Sequence, residues 1–234
     1  TDAGQSWTSL NLPGPERVVW SILLHPDDPR VLYVGTEGST VFRTDDGGES
    51  WRQLATLEPA GLVKMAFPTR LVRMALDPSN PDEVYAGLEV GGLIRSLDGG
   101  RTWEDCNEGL LRLAEEPHLK SRIGSDTDVE GMMDSHAMAV SKALPGTVFF
   151  ANRMGLFRSA DRGTSWEEMD IGRFSELTYA RDVQVSPNDP KTLYAALSAA
   201  AVSDAGSLYR SQDLGQTWSR FDHGVAIDST LMII

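Results

Sequence analysis

The sequence predicts an all-β protein made of repeated four-stranded antiparallel units, because two short patterns recur along the chain. The first is a polar turn with the pattern Asp-x-Gly-x-(Ser/Thr)-Trp, which occurs five times. The second is a strand, a proline-containing turn and another strand, and it precedes each internal copy of the first. Repeats of this length are typical of propellers and solenoids. Four antiparallel strands per repeat predict a β-propeller with about five blades represented.

The polar turns begin at Thr1, Arg43, Arg95, Arg158 and Arg210. In each turn, glycine can supply the positive φ that a tight hairpin needs. The aspartate can accept backbone N–H bonds inside its own turn, and the Ser/Thr hydroxyl can donate to the same carboxylate. The tryptophan then anchors the hairpin on the layer below. We therefore assign a structural role to five aspartates: Asp2, Asp46, Asp98, Asp161 and Asp213.

The strand–turn–strand pattern covers 20–36, 72–88, 136–152 and 181–197. Each copy shows alternating apolar residues on both sides of a turn rich in Pro, Asn and Asp, which is typical of two paired strands. With the following hairpin, each unit has four strands. Helical periodicity is confined to 109–116, which predicts two helical turns.

The two ends of the sequence permit two arrangements. The chain opens inside a polar turn, and 229–234 predicts the first strand of another blade. Either this strand joins the N-terminal hairpin and closes a ring of five blades, or the chain is a fragment of a larger propeller. We favour the fragment, because the joined blade would lack a second strand and no initiator Met is present. Residues 1–234 are then one propeller domain, truncated at both ends.

The composition suits one all-β domain, with 234 residues, 41% hydrophobic, 22 Gly and 12 Pro. A net charge of −13 argues against nucleic acid or an anionic membrane as a partner. No transmembrane run is present. The single cysteine, Cys106, excludes an intrachain disulfide. No signal peptide is visible, but a truncated start would hide one, so cytoplasmic and secreted locations both stay open.

Candidate site residues emerge when the four strand–turn–strand copies are aligned on their prolines. One set of equivalent positions is apolar throughout and is expected to pack between blades: Ile22, Met74, Met138 and Val183. The two positions before it are mixed: Trp20, Val72, His136 and Arg181, then Ser21, Arg73, Ala137 and Asp182. A fold repeat gains nothing from charged side chains where its other copies are apolar or small. Because propellers bind ligands where the innermost strands enter around the central channel, we predict a site there.

Two long segments supply further polar groups to the same mouth. The interval of 63 residues between Trp103 and Trp166 contains an acidic loop, 115–136, and loops of that length are usually functional or disordered. Its acids and histidines are Asp126, Asp128, Glu130, Asp134, His118 and His136. Such a cluster can bind a divalent metal or perform acid–base chemistry. The alternative is a solvated loop with one histidine docked on the channel. Because no fixed ligand spacing is present, we predict neither a metal nor a cofactor.

The second segment, 172–182, leads directly into the fourth innermost strand. Together the segments predict three catalytic candidates, Asp134, His136 and Asp182, and four binding residues, Arg73, Glu176, Tyr179 and Arg181. A histidine can transfer a proton near neutral pH, and an arginine can hold a carboxylate through two parallel hydrogen bonds.

The polar turn is identified as the Asp-box, or BNR repeat, from its four roles in fixed spacing. The chain resembles uncharacterised bacterial "glycosyl hydrolase, BNR repeat" proteins and sialidase-like propellers. Xyloglucan-active glycosidases, sortilin-type receptors and a photosystem assembly factor share the motif. The resemblance implies Asp-boxes between the third and fourth strands of each blade, facing away from the active surface. It does not decide function, because these proteins differ in function.

Two of these resemblances meet an obstacle in the sequence. The Arg-Ile-Pro signature of sialidases is absent. A xyloglucan-type enzyme uses two aspartates across an open cleft and normally needs two propellers, for which 234 residues are too few.

Two functions stay open. The first is a binding propeller whose polar channel mouth takes a small molecule, a glycan or a protein. The second is a glycosidase-like hydrolase or lyase acting at the same rim. Two carboxylates facing one pocket favour the enzyme, and a rim without convergent acids favours the binder.

Overall fold

The computed structural model describes residues 3–14, 18–57, 63, 66–225 and 227–229. They form four antiparallel sheets of four strands each, which confirms the all-β class. The first sheet contains β1 (Val19–Leu24), β2 (Leu32–Thr36), β3 (Thr40–Thr44) and β4 (Arg52–Thr56). The second contains β5 (Leu71–Asp77), β6 (Asn80–Leu88), β7 (Gly92–Ser96) and β8 (Glu104–Asp105). The third contains β9 (Ser135–Val140), β10 (Val148–Asn152), β11 (Gly155–Ser159) and β12 (Glu167–Glu168). The fourth contains β13 (Tyr179–Val185), β14 (Leu193–Ser198), β15 (Gly206–Ser211) and β16 (Ser219–Arg220).

The order of strands in each sheet follows the chain, and every neighbouring pair is antiparallel. The first strands β1, β5, β9 and β13 pack beside one another in chain order. They are therefore the innermost strands of successive blades, and the fold is a β-propeller. Asp2 of the first polar turn lies outside the described residues, as do residues 230–234 of the predicted last strand.

The hydrophobic core lies between adjacent blades. Tyr33 and Leu71 belong to the cluster between the first two blades, Tyr85 and Phe150 to the next, and Phe149 to the third. The apolar set predicted from the alignment is buried at three positions: Met74, Met138 and Val183. Ile22, the fourth, is 66% exposed, because none of the described sheets precedes the first blade.

The hydrogen bonds predicted inside the polar turns are confirmed. In the third blade, Ser165 donates from its backbone N–H to Asp161 Oδ1 at 2.8 Å and from its hydroxyl to Oδ2 at 2.7 Å. The same pair of bonds occurs at Asp46, Asp98 and Asp213. Each turn follows the third strand of its blade.

A second hydroxyl, to which the sequence pattern assigns no role, completes each turn. Ser159 Oγ donates to Asp161 Oδ1 at 2.8 Å and accepts the Gly163 N–H at 2.7 Å. Its equivalents are Thr44, Ser96 and Ser211, and all four are buried. The aspartate and this hydroxyl together satisfy the donors of the turn, which explains why both residue types recur.

The tryptophans of the turns are buried to different degrees. Trp166 and Trp218 are 8% and 5% exposed, and Trp166 donates to Cys106 O of the preceding blade at 2.9 Å. Trp51 and Trp103 are half-buried, so these two indoles are covered less completely than Trp166 and Trp218. Trp51 donates to Leu10 O at 2.8 Å in a segment without strands, which covers it incompletely.

The long interval between the second and third blades is folded against the core. It contains α1 (Glu108–Leu113), a 3₁₀ turn (Pro117–Leu119) and α2 (Glu130–Met133), so the predicted helix over 109–116 is confirmed. Leu110 and Met132 are buried in the core cluster between these blades. The interval therefore ends in a supported helix directly before Asp134.

Glu130 holds the acidic loop in place. Its carboxylate accepts backbone N–H bonds from Ile123, Gly124 and Ser125 at 2.8 to 3.0 Å and the Ser125 hydroxyl at 2.7 Å. Burial raises the pKa of Glu130, but these bonds outweigh burial and the net shift is downward. Glu130 therefore stabilises the conformation of the loop.

Candidate functional site at the channel mouth

The four innermost strands share one irregularity. Each contains a β-bulge at the same register position, where one residue has no partner on the second strand. The bulged residues are those aligned in the sequence: Trp20, Val72, His136 and Arg181. Bulges redirect side chains and are frequent beside active sites. All four residues line one pocket.

The pocket has a volume of about 590 Å³ and lies at the start of the innermost strands. Its other charged and aromatic lining residues are Arg73, Glu89, Asp134, Arg153 and Tyr179. The third strand of each blade runs parallel to the first, so the polar turns that follow it lie at the opposite end of the sheets. The structure thus separates the pocket from the repeated aspartates.

His136 occupies the centre of this arrangement. Its Nδ1 lies 2.7 Å from Ala180 O of the next blade, and because a carbonyl can only accept, Nδ1 carries the hydrogen. The other nitrogen, Nε2, lies 3.4 Å from Asp134 Oδ2 and 3.4 Å from the Tyr179 hydroxyl. Neutral His136 therefore presents an unprotonated Nε2 towards an acid and a phenol, and this nitrogen can accept a proton.

Asp182, predicted as a catalytic acid, lies beneath the pocket and does not line it. Its side chain is fully buried, and its Oδ2 lies 3.4 Å from Arg73 Nη2 across the channel. Val183 N–H and the Gln184 amide donate to its Oδ1, both at 2.9 Å. A carboxylate placed in this way holds Arg73 and its own strand.

Tyr179 lies between two arginines. The Arg181 and Arg153 guanidinium carbons lie 4.7 Å and 5.4 Å from the centre of its ring. Arg153 Nε also lies 3.4 Å from Asp134 Oδ2. Burial raises the pKa of Tyr179, and the two arginines oppose that rise. The phenol therefore stays neutral and can donate a hydrogen bond.

Glu89, which was not among the predicted site residues, lines the pocket directly after β6. Glu89 Oε1 accepts from Arg70 Nη1 at 3.0 Å, while its buried Oε2 has no hydrogen-bond partner. Burial raises the pKa of Glu89, Arg70 opposes the rise and Asp134 adds to it. A signal was present, because the residue after the second strand also varies between blades: Glu37, Glu89, Arg153 and Ala199.

Glu176, predicted as a binding residue, does not line this pocket. It lines a separate pocket of about 460 Å³ together with Asp204, Tyr209 and Arg220. The chain before β13 passes over β15 of the same sheet, and it reaches the channel mouth only at Tyr179.

Among the described residues, no group of three or more His, Cys, Asp or Glu side chains could hold a metal ion. None of their helices has the length and apolar character that a membrane crossing requires.

The fold and the pocket define a β-propeller with an open polar pocket at its channel mouth, and known proteins share that fold. No family model matches the chain. The xyloglucanase of Hypocrea jecorina is 25% identical over 250 aligned positions, which cover 93% of this chain and 27% of that protein.

Two solved structures are similar in fold. An ancestral GH74 enzyme has a TM-score of 0.62 at 14% identity and covers 90% of this chain and 26% of its own. The GH74 xyloglucanase of Xanthomonas campestris has a TM-score of 0.60 at 19% identity and covers 86% and 29%. The chain thus spans about a quarter of the length of these proteins.

Proposed function

We propose that the protein is an Asp-box propeller that binds an oligosaccharide in the pocket at its channel mouth. The observation that carries the proposal is the convergence of an indole with several hydrogen-bonding side chains in one open cleft. Trp20 is 43% exposed and lines the pocket beside Arg73, Asp134 and Arg153. A sugar ring has an apolar face that packs on an aromatic ring and hydroxyls that need directional partners, and such pockets supply both.

The likeness to xyloglucanases supports a sugar ligand. The similarity extends over nearly the whole chain, so it includes all four blades that build the pocket. Arg70 packs on the Trp20 indole, with its guanidinium carbon 4.6 Å from the ring centre. This contact fixes the indole at the rim before a ligand arrives, which lowers the entropic cost of binding.

Isothermal titration calorimetry with xyloglucan heptasaccharide and with acidic xylan oligosaccharides tests the proposal. We expect Trp20→Ala to weaken binding by about tenfold or more, since stacking on one aromatic ring contributes roughly 1–3 kcal/mol in comparable base–aromatic contacts. Trp7→Ala is the matched control, because Trp7 is 90% exposed and does not line the pocket. Absence of binding to every glycan by the folded protein would falsify the proposal.

A second candidate, hydrolysis at the same site, is favoured by one observation: two carboxylates, Glu89 and Asp134, line the pocket. Glu89, whose pKa is raised by burial, would give its proton to the leaving glycosidic oxygen as the C–O bond breaks. Asp134 would take a proton from the attacking water.

Glu89→Gln and Asp134→Asn separate the two functions. For an enzyme, both variants retain binding and lose release of reducing sugar. For a binder, the wild-type protein itself shows no turnover of a glycan that it binds.

A further inference from the structure

We infer that the oligosaccharide taken by this pocket carries a carboxylate, and that Arg181 is its anchor. The inference rests on the proposed function and specifies the class of glycan. Among the described residues, the ion pairs around the pocket leave one arginine without a carboxylate partner.

Three of the four arginines at the mouth are paired with a carboxylate. Arg70 pairs with Glu89 at 3.0 Å, Arg73 with Asp182 at 3.4 Å and Arg153 with Asp134 at 3.4 Å. Arg181 has no carboxylate within ion-pair distance among the residues that the structure describes. One negative charge in the pocket would therefore balance the cluster, and a ligand can supply it.

Arg181 is held ready for such a ligand. Its Nη2 donates to Ala201 O at 2.6 Å, and its guanidinium lies over the Tyr179 ring. These two contacts fix the plane of the group, while the bulge in β13 directs the side chain into the pocket. Fixing the guanidinium in advance favours a planar, bidentate partner such as a carboxylate.

The hydrogen bonds that Arg181 lacks indicate the same partner. Its Nε is buried and has no hydrogen-bond partner. A buried donor left unpaired is costly, and a charged one more so. Arg73 Nε, in the same pocket, is also buried and unpaired. A carboxylate beside Arg181 would supply the negative charge that offsets this incompletely bonded cation.

The net charge of the chain limits the range over which Arg181 can attract an anion. The net charge of −13 does not attract anions over long distances. Arg181 therefore acts on a ligand at contact range, where screening by salt is weak. Affinity for an acidic sugar should come from the pairing itself.

The test compares a xylotriose that carries one methylglucuronic acid with its carboxyl-reduced, neutral counterpart, by calorimetric titration of the intact protein. We expect the acidic probe to bind roughly 10- to 100-fold more tightly, as one charge-assisted pair contributes. Arg181→Gln should remove that difference and leave the affinity for the neutral probe unchanged. Arg181→Lys should restore part of it. Arg158→Gln is the matched control, because Arg158 pairs with Glu167 on the outer strands.

The outcomes separate the two proposals. Equal affinity for both probes, or an equal loss for both in Arg181→Gln, overturns the carboxylate inference and leaves glycan binding intact. Binding of neither probe, nor of xyloglucan heptasaccharide, overturns glycan binding and the inference with it. Thermal unfolding of each variant confirms that the compared proteins are folded.

Discussion

The polar turns and the channel mouth both repeat in four blades, yet they differ in what is repeated. In the turns, backbone and side chains recur together, with the same aspartate and hydroxyl bonds in every described copy. At the mouth only the backbone recurs. Each innermost strand has a bulge at the same position, and the bulged residues differ: Trp20, Val72, His136 and Arg181. Uniform side chains satisfy the fold's own donors. Varied side chains on a uniform backbone are not required by the repeat itself, and they support the proposed binding site.

The largest expected effect tests the structural role of a turn. Trp166→Ala should lower the free energy of unfolding by about 3–5 kcal/mol, because it removes a buried indole from the core between the second and third blades. Denaturant unfolding measures this change. Trp103→Ala is the control, and since Trp103 is only half-buried its loss should be clearly smaller. Equal losses for both variants would contradict the burial order of the two residues.

The second prediction concerns the hydroxyl that the turn shares with its aspartate. Ser159→Ala should cost about 1–3 kcal/mol of unfolding free energy, because the Gly163 N–H then loses its acceptor in a buried position. Ser219→Ala should change stability by less than about 0.5 kcal/mol, since Ser219 is exposed. If Ser159→Ala is as mild as this control, the hydroxyl does not support the turn.

The same contrast explains what could be predicted from sequence. The blades could be predicted, because their strands and turns recur several times in the sequence. The bulged positions could also be aligned, since His136 and Arg181 break an apolar pattern. Glu89 was missed because the comparison of blades covered the first strand and not the residue after the second. Glu176 was misplaced because the path of a loop depends on long-range packing, which no local pattern encodes.

The half-buried Trp51 and Trp103 show a related limit. Their turns match those of the other blades in sequence, but burial depends on what the preceding segment places over each indole. A motif specifies its own hydrogen bonds, and neighbouring segments decide its exposure.

The third prediction concerns whether the negative charge of the turn carboxylates stabilises the fold. Hydrogen bonds from the backbone and the hydroxyl of Thr102 lower the pKa of Asp98 to about 2. Because the folded pKa lies below the ordinary value, this stabilisation is complete above about pH 4 and is lost as the pH falls towards 2. The stability difference between wild type and Asp98→Asn should therefore shrink between pH 5 and pH 2.5. A difference independent of pH would show that Asp98 contributes no charge-dependent stability.

The smallest expected change in stability lies at the channel mouth, where loss of the Tyr179 hydroxyl is compared with loss of the Ser159 hydroxyl in a turn. Tyr179→Phe keeps the ring that Arg153 and Arg181 contact and removes a hydroxyl 3.4 Å from His136 Nε2, a distance at which a hydrogen bond is weak. We expect a stability change below about 1 kcal/mol, and an unchanged His136 tautomer by nitrogen NMR, because the bond to Ala180 O remains. A loss as large as that of Ser159→Ala would mean that the mouth is built for stability like the turns. A small loss with weakened glycan binding would assign this hydroxyl to the ligand.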